Sequence, residues 1–279
     1  LKKFEGLGYI TAGKKHNALL HRINMSEKAK EFYEKMEEKE NIKSRKKTKV
    51  VCHIPPYSNI AAIKKLIEKG MDVAGIDSSV FDYRTALEVI KSIRQASNKI
   101  PILLNVDSKN RYWIKFALRN DLDFVAISAA NASDIQQVNR ILGYSNINQV
   151  IGEKIKVISI IGKESLRNYK EIVKEAYGII IDRSRLAATN LEMLPKLQKE
   201  IVEECNKYGK PVIIAGSVLD SMVKIKQPLQ AEIYDISNAV LEGASALMLS
   251  NEVAAGKYPI EAVETVSMVI KGAETGCTG

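Results

Sequence analysis

The stretch KVISIIGKESLRNYKEIVKEAYGIII, residues 156–181, decides the fold. Its two ends, Lys156–Ile161 and Gly178–Ile181, are short, apolar and rich in β-branched residues, as strands buried on both faces are. The segment SLRNYKEIVKEA between them carries a helical pattern. Strand, helix and second strand in this order read as a parallel β/α unit.

Outward from that stretch the alternation repeats. Apolar segments lie at Thr48–Ile54, Asp72–Ile76, Ile100–Val106, Phe124–Ser128, Pro211–Ala215 and Ala246–Leu249, and patterns such as AAIKKLIEKG, TALEVIKSIRQA and LPKLQKEIVEECNKYG fill the intervals. Eight β/α units in roughly 225 residues predict an α/β chain folded as a (β/α)8 TIM barrel. A doubly wound open sheet is the alternative, but neither GxGxxG nor GxxxxGK[ST] follows the first strand.

At 279 residues, 46% hydrophobic and 27% charged, the composition excludes a disordered tail, a collagen-like fibre and a small disulfide scaffold. Cys52, Cys205 and Cys277 are scattered and odd in number, so a reducing compartment is expected. No stretch approaches eighteen consecutive apolar residues, and no membrane span is expected. The chain begins at Leu1 without a signal-type apolar core, which reads as a removed presequence or a late start.

The net charge of +9 is unevenly placed: residues 1–50 hold fourteen Lys/Arg against seven Asp/Glu, and residues 51–279 hold twenty-eight against twenty-six. The basicity belongs to an N-terminal extension, residues 1–46, expected to be partly helical from Ser26 to Ile42. The expected barrel occupies residues 47–272 and a short tail 273–279. The run Lys43, Arg45, Lys46 and Lys47 is a candidate partner-binding element, compatible with rRNA or an acidic protein surface. No aromatic residue is interleaved in it. Heavy Lys, Ile and Asn usage, the missing initiator Met and the basic extension suggest a mitochondrial protein, with a cytoplasmic one as the alternative. His16 and His21 have no cysteine nearby, and no metal site is expected there.

The segments TKVVCHIPPYS (48–58), KLIEKGMDVAGIDSS (65–79), KFALRNDLDFVAIS (115–128), QKEIVEECNKYGKPVIIAGSVLDSM (198–222) and AEIYDISNAVLEGASALMLSNEVAAGKYPIEAVETV (231–266) resemble the barrel domain of pyruvate kinase, in order and at matching spacing. The resemblance covers about residues 47–272. It implies a TIM barrel whose active site, at the C-terminal ends of the strands, moves the phosphoryl group of phosphoenolpyruvate to ADP with Mg2+ and K+.

Taken position by position, the resemblance also implies losses. The family's phosphate-binding arginine after strand two is Gly75 here, followed by Asp77 and Ser79. Its monovalent-ion aspartate and threonine after strand three become Asn105 and Val106. The catalytic lysine of strand five becomes Ile160 and the metal-binding glutamate Gly162, with Lys163 and Glu164 next in the chain. The metal-binding aspartate after strand six becomes Arg185, and a substrate-contacting threonine after strand seven becomes Gly216. Ser250 and Glu252 are kept, while Asn251 differs. His53 stands where the family has threonine and reads as a filler or hydrogen-bonding residue at the barrel mouth.

Two segments of the family have no counterpart in this reading. The lid domain inserted after strand three is replaced by Asp107–Arg111, with Tyr112 and Trp113 covering its place or marking a partner contact, and no C-terminal domain follows the barrel. The resulting expectation is a pseudoenzyme without Mg2+ or K+, serving as a structural or interaction subunit among other proteins of a large assembly. A phosphometabolite-binding module using Arg183, Arg185, Ser217 and Ser250 is one alternative. A residual phosphotransferase is the other.

Overall fold

The structure, a computed structural model, describes residues 47–143, 155–188 and 191–275. Eight parallel strands close into a barrel in chain order: β1 (Lys49–His53), β2 (Val73–Asp77), β3 (Ile102–Val106), β4 (Phe124–Ile127), β5 (Lys156–Ile161), β6 (Gly178–Asp182), β7 (Val212–Ala215) and β8 (Ala246–Leu249). The expected strands are met to within two residues at each end. Ten helices among the described residues surround them: α1 (Ile60–Glu68), α2 (Tyr83–Ala96), α3 (Arg111–Arg119), α4 (Ala132–Ile141), α5 (Tyr169–Glu175), α6 (Arg183–Ala187), α7 (Leu194–Lys207), α8 (Gln230–Glu242), α9 (Asn251–Ala254) and α10 (Pro259–Thr275).

Alternation along each strand splits the core in two. Val51, Val73, Leu103, Ile158, Ile180 and Met248 point into the barrel and pack on one another. Their neighbours, such as Cys52, Ala74, Leu104 and Ile181, face the helix ring. Both sets are apolar, which is why the strands read as continuous hydrophobic runs. Burying each such side chain is worth about 1.5–3 kcal/mol.

Polar side chains tie down both ends of the barrel. At the N-terminal end Asp72 accepts the N–H of Val50 at 2.7 Å and Asp123 that of Ile102 at 2.9 Å. Glu274 accepts the N–H groups of Lys47 and Thr48 at 2.7 and 2.6 Å. Glu274 belongs to α10, which ends at Thr275. At the C-terminal end Asn59, Asp82, Asn110, Asn131, Asp182 and Ser250 cap the helices that follow the strands.

The β3–α3 connection is four residues, Asp107–Asn110, turned tightly by the Asn110 N–H donating to the Asp107 carbonyl at 2.8 Å. Beside it Trp113 is buried against Tyr83 and Phe116, with ring centroids 4.4 and 5.0 Å away, whereas Tyr112 is exposed. Cys52 and Cys205 are buried free thiols, and burial pushes Cys52 up to about 12. The candidate partner residues Lys43, Arg45 and Lys46, and the expected helix at 26–42, lie outside the described residues. No helix among those described is long and apolar enough to cross a membrane.

Candidate functional site

The strands' C-terminal ends enclose a cavity of ≈ 370 Å³. Its floor is apolar, formed by Leu103, Ile160, Ile180 and Met248, and its rim is polar. Each side of that rim follows from a local feature of the chain.

On the β1/β2 side the register pairs His53 with Gly75. Both face inward, and the imidazole fills the volume a side chain at 75 would need: a Cβ there would lie 2.2 Å from His53 Cδ2. The ring is 7% exposed, and neither nitrogen has a hydrogen-bond partner among the described residues. Burial lowers its pKa, outweighing the carboxylates of Asp77 and Glu252, which favour the charged form. The Asn251 amide acts in the same sense as the carboxylates without closing a bond to either nitrogen.

The sign of that shift sets a pH dependence. An unfolded histidine titrates near 6.5, and the folded one takes up its proton only at lower pH. The contribution of His53 to stability is therefore complete above about pH 6.5 and is lost as pH falls toward the folded value. Denaturation of the wild type and of His53→Gln between about pH 7.5 and 5 should show the wild type losing more stability on acidification. Parallel losses would refute this role.

Next to His53, Asp77 is a hub. Its Oδ1 accepts the N–H and hydroxyl of Ser79 at 2.9 and 2.7 Å, and its Oδ2 accepts the amides of Asn105 and Asn251 at 3.2 and 3.1 Å. Burial would raise this carboxyl, but the hydrogen bonds from Ser79 and Asn251, together with His53 nearby, more than offset it and hold it below the usual carboxylate range. Sequence reading singled out neither Asp77 nor Asn251 as a site residue. The signal that could have found them is the parallel register, which puts residues of β2, β3 and the start of α9 at one level.

Across the mouth, Asp182 caps α6 and pairs with Arg185, Nε to Oδ2 at 3.0 Å, while Arg185 Nη1 donates to Ser128 at 2.6 Å. The guanidinium thus spans from β6 to β4 over Gly162. A Cβ on Gly162 would meet Arg185 Cβ and Cδ at 3.3 Å and Glu164 Oε2 at 3.5 Å. Arg185 also walls a second cavity of ≈ 600 Å³, where Asp107, Lys109, Lys163 and Glu164 lie.

The four expected anion-binding residues separate. Arg185 and Ser250 line the mouth cavity, and Ser250 also caps α9. Arg183 and Ser217 are not on it. Arg183 is buried, with Nε donating to the Gly216 carbonyl at 2.8 Å, Nη2 to the Ser217 carbonyl at 3.1 Å, and Nη1 to Asp235 at 2.7 Å. Those partners hold the loop after β7, where Gly216, Ser217 and Leu219 all have positive φ. Arg183 is a structural clamp, correcting its expected place in an anion site. Gly216 has φ +82°, and a Cβ there would lie 2.7 Å from the Ser184 backbone nitrogen, so glycine is required.

Of the other positions where the resemblance implied replacement, Gly75, Ile160 and Gly216 lie at the strand ends around the mouth, and Gly162 lies in the wall shared with the second cavity. No group of three His, Cys, Asp or Glu placed to hold a metal is found among the described residues.

Comparison with known proteins bears on the whole barrel. A family model described as pyruvate kinase, barrel domain, matches residues 101–263. The chain is 38% identical over 178 residues to the pyruvate kinase of Methanocaldococcus jannaschii, covering 63% of this chain and 38% of that protein. It is 39% identical over 174 residues to the pyruvate kinase of Dictyostelium discoideum, covering 61% and 33%. With the Thermotoga maritima pyruvate kinase it shares 32% identity over 232 residues, covering 77% and 49%. The chain thus spans between a third and a half of the length of these relatives.

Proposed function

Because the chain belongs to the pyruvate kinase family, and matches its barrel domain, we propose that it has lost phosphoryl transfer from phosphoenolpyruvate to ADP and serves as a structural or interaction subunit. The observation that carries this reading is the Arg185 guanidinium, fixed between Asp182 and Ser128 at the place where the resemblance puts a metal-binding carboxylate. A second cation does not share that space. Gly162 supplies no carboxylate beside it, Ile160 gives an apolar floor in place of the catalytic lysine, and Gly75 leaves the phosphate without its arginine.

Phosphoryl transfer rests on positioning and on cations that stabilise developing charge. Losing one such group costs about 2–4 kcal/mol, roughly 10²- to 10³-fold in rate, and the effects are not additive. With these groups replaced together, the donor set does not fit Mg2+. A K+ ion is poorly served as well, because both oxygens of Asp77 already accept two hydrogen bonds each.

A role in an assembly is supported by the outer face of the barrel. Tyr234 and Leu241, one heptad apart on α8, and Met268 on the adjoining α10 are exposed. Exposed apolar groups on two adjoining helices are a surface that another protein can cover. In a coupled assay with phosphoenolpyruvate, ADP, Mg2+ and K+, the protein is expected to form no ATP above the enzyme-free control. Turnover that disappears when the protein is removed would overturn the reading. Isolation from the native source should recover it bound to other proteins, and a free monomer there would remove the assembly role.

A further inference from the structure

Asp77 decides which polar atoms of the mouth remain available. By drawing one N–H of Asn105 and one of Asn251 onto its Oδ2, it commits the amide nitrogens and leaves both amide oxygens as acceptors without a donor among the described residues. The amide orientation follows from chemistry, since a carboxylate can only accept. Glu252, on the same rim, pairs with no cation among the described residues. His53 adds a buried ring with both nitrogens unpartnered among the described residues.

The mouth is therefore rich in acceptors and poor in positive charge. Among the described residues its one rim cation, Arg185, is already neutralised by Asp182. A buried polar group without a partner is costly unless something from outside completes it. An anion would face three carboxylates, Asp77, Asp182 and Glu252. A neutral polyol would leave Glu252 without a counter-charge. A protonated amine supplies three N–H donors and the missing charge.

We propose that the barrel mouth binds a small molecule through a primary ammonium group, held by Glu252, the amide oxygen of Asn251 and a ring nitrogen of His53. The apolar floor of Leu103 and Met248 takes the carbon skeleton attached to it. Burial keeps His53 neutral near pH 7, so the ring offers a lone pair and does not repel the ammonium. Asp77 acts as a positioning residue, orienting the two amides. The proposal is independent of the loss of phosphoryl transfer and can fail separately from it.

The test is a titration of the full-length ¹⁵N-labelled chain, observed at the histidine ring nitrogens, with His53→Gln assigning the resonance. The probes are 2-aminoethanol, ethylene glycol and inorganic phosphate at matched pH and ionic strength. Aminoethanol is expected to shift the His53 signals saturably and the other two not to. Glu252→Gln should weaken the amine about tenfold or more, as loss of a charged hydrogen bond does. It should leave the unfolding midpoint unchanged, since Glu252 is exposed. Added NaCl should weaken binding to the wild type, giving a readout that needs no variant. No saturable shift with aminoethanol, an equal shift with ethylene glycol, a shift with phosphate alone, or insensitivity to Glu252→Gln or to salt would each overturn the proposal.

Discussion

Gly75→Arg should cost the barrel about 1–3 kcal/mol, and His53→Thr in the same chain should recover most of that loss. Arginine is the residue the family resemblance places at 75, so the change restores one half of an ancestral pair without the other. Its Cβ would enter at 2.2 Å from His53 Cδ2 and 3.1 Å from Nε2. Real Cβ atoms do not approach so closely, and the ring must move. Held on the inner wall of β1, it must leave that place and swing toward the mouth cavity it lines. Denaturant midpoints for the wild type, both single variants and the double variant give the coupling energy. A Gly75→Arg chain as stable as the wild type, or a double variant no better than Gly75→Arg, would show that the imidazole does not fill the arginine's place.

Arg183→Met should be at least as damaging, at about 3–4 kcal/mol, because it removes one partner of a buried charged pair. The side chain donates to two carbonyls and to Asp235, and at 6% exposure nothing replaces it. Asp235 keeps 37% of its side-chain surface in water, which places the cost toward the lower end. One of these contacts holds Ser217, whose positive φ carries backbone strain of about 1–3 kcal/mol that the surroundings must stabilise. Thermal unfolding should fall by roughly 6–15 °C for a domain of this size. Arg183→Lys should recover little, because a point-like ammonium cannot span three acceptors that a planar fork reaches. A Lys variant as stable as the wild type would reduce the contribution of Arg183 to charge alone.

These two cases show where sequence reading stopped. Arg183 and Arg185 are two apart in a charged segment and look equivalent in the chain. Both fall on α6, where two residues are about 200° of helix apart, so one turns inward beneath the β7 loop and the other outward over the mouth. Nothing local separates them. His53 likewise reads as an isolated histidine, because Gly75, which gives it room, is on another strand and is joined to it only by the β1–β2 register.

The barrel itself was legible. Strands buried on both faces must be apolar throughout, helices between them must carry one apolar stripe, and most of the helix starts carry a capping side chain. These are local demands, and residues 156–181 alone display the unit that repeats. The absence of a lid insertion was legible for the same reason, since Asp107–Asn110 is too short to hold a domain. The state of each polar group at the mouth was not legible. Whether a carboxylate is spent on a cap, as Asp182 is, used as a hub, as Asp77 is, or left open, as Glu252 is, depends on side chains from β2, β3, β6 and α9 converging at one level. Only closure of the sheet sets those distances, and electrostatic and hydrogen-bond energies are decided over those few ångströms.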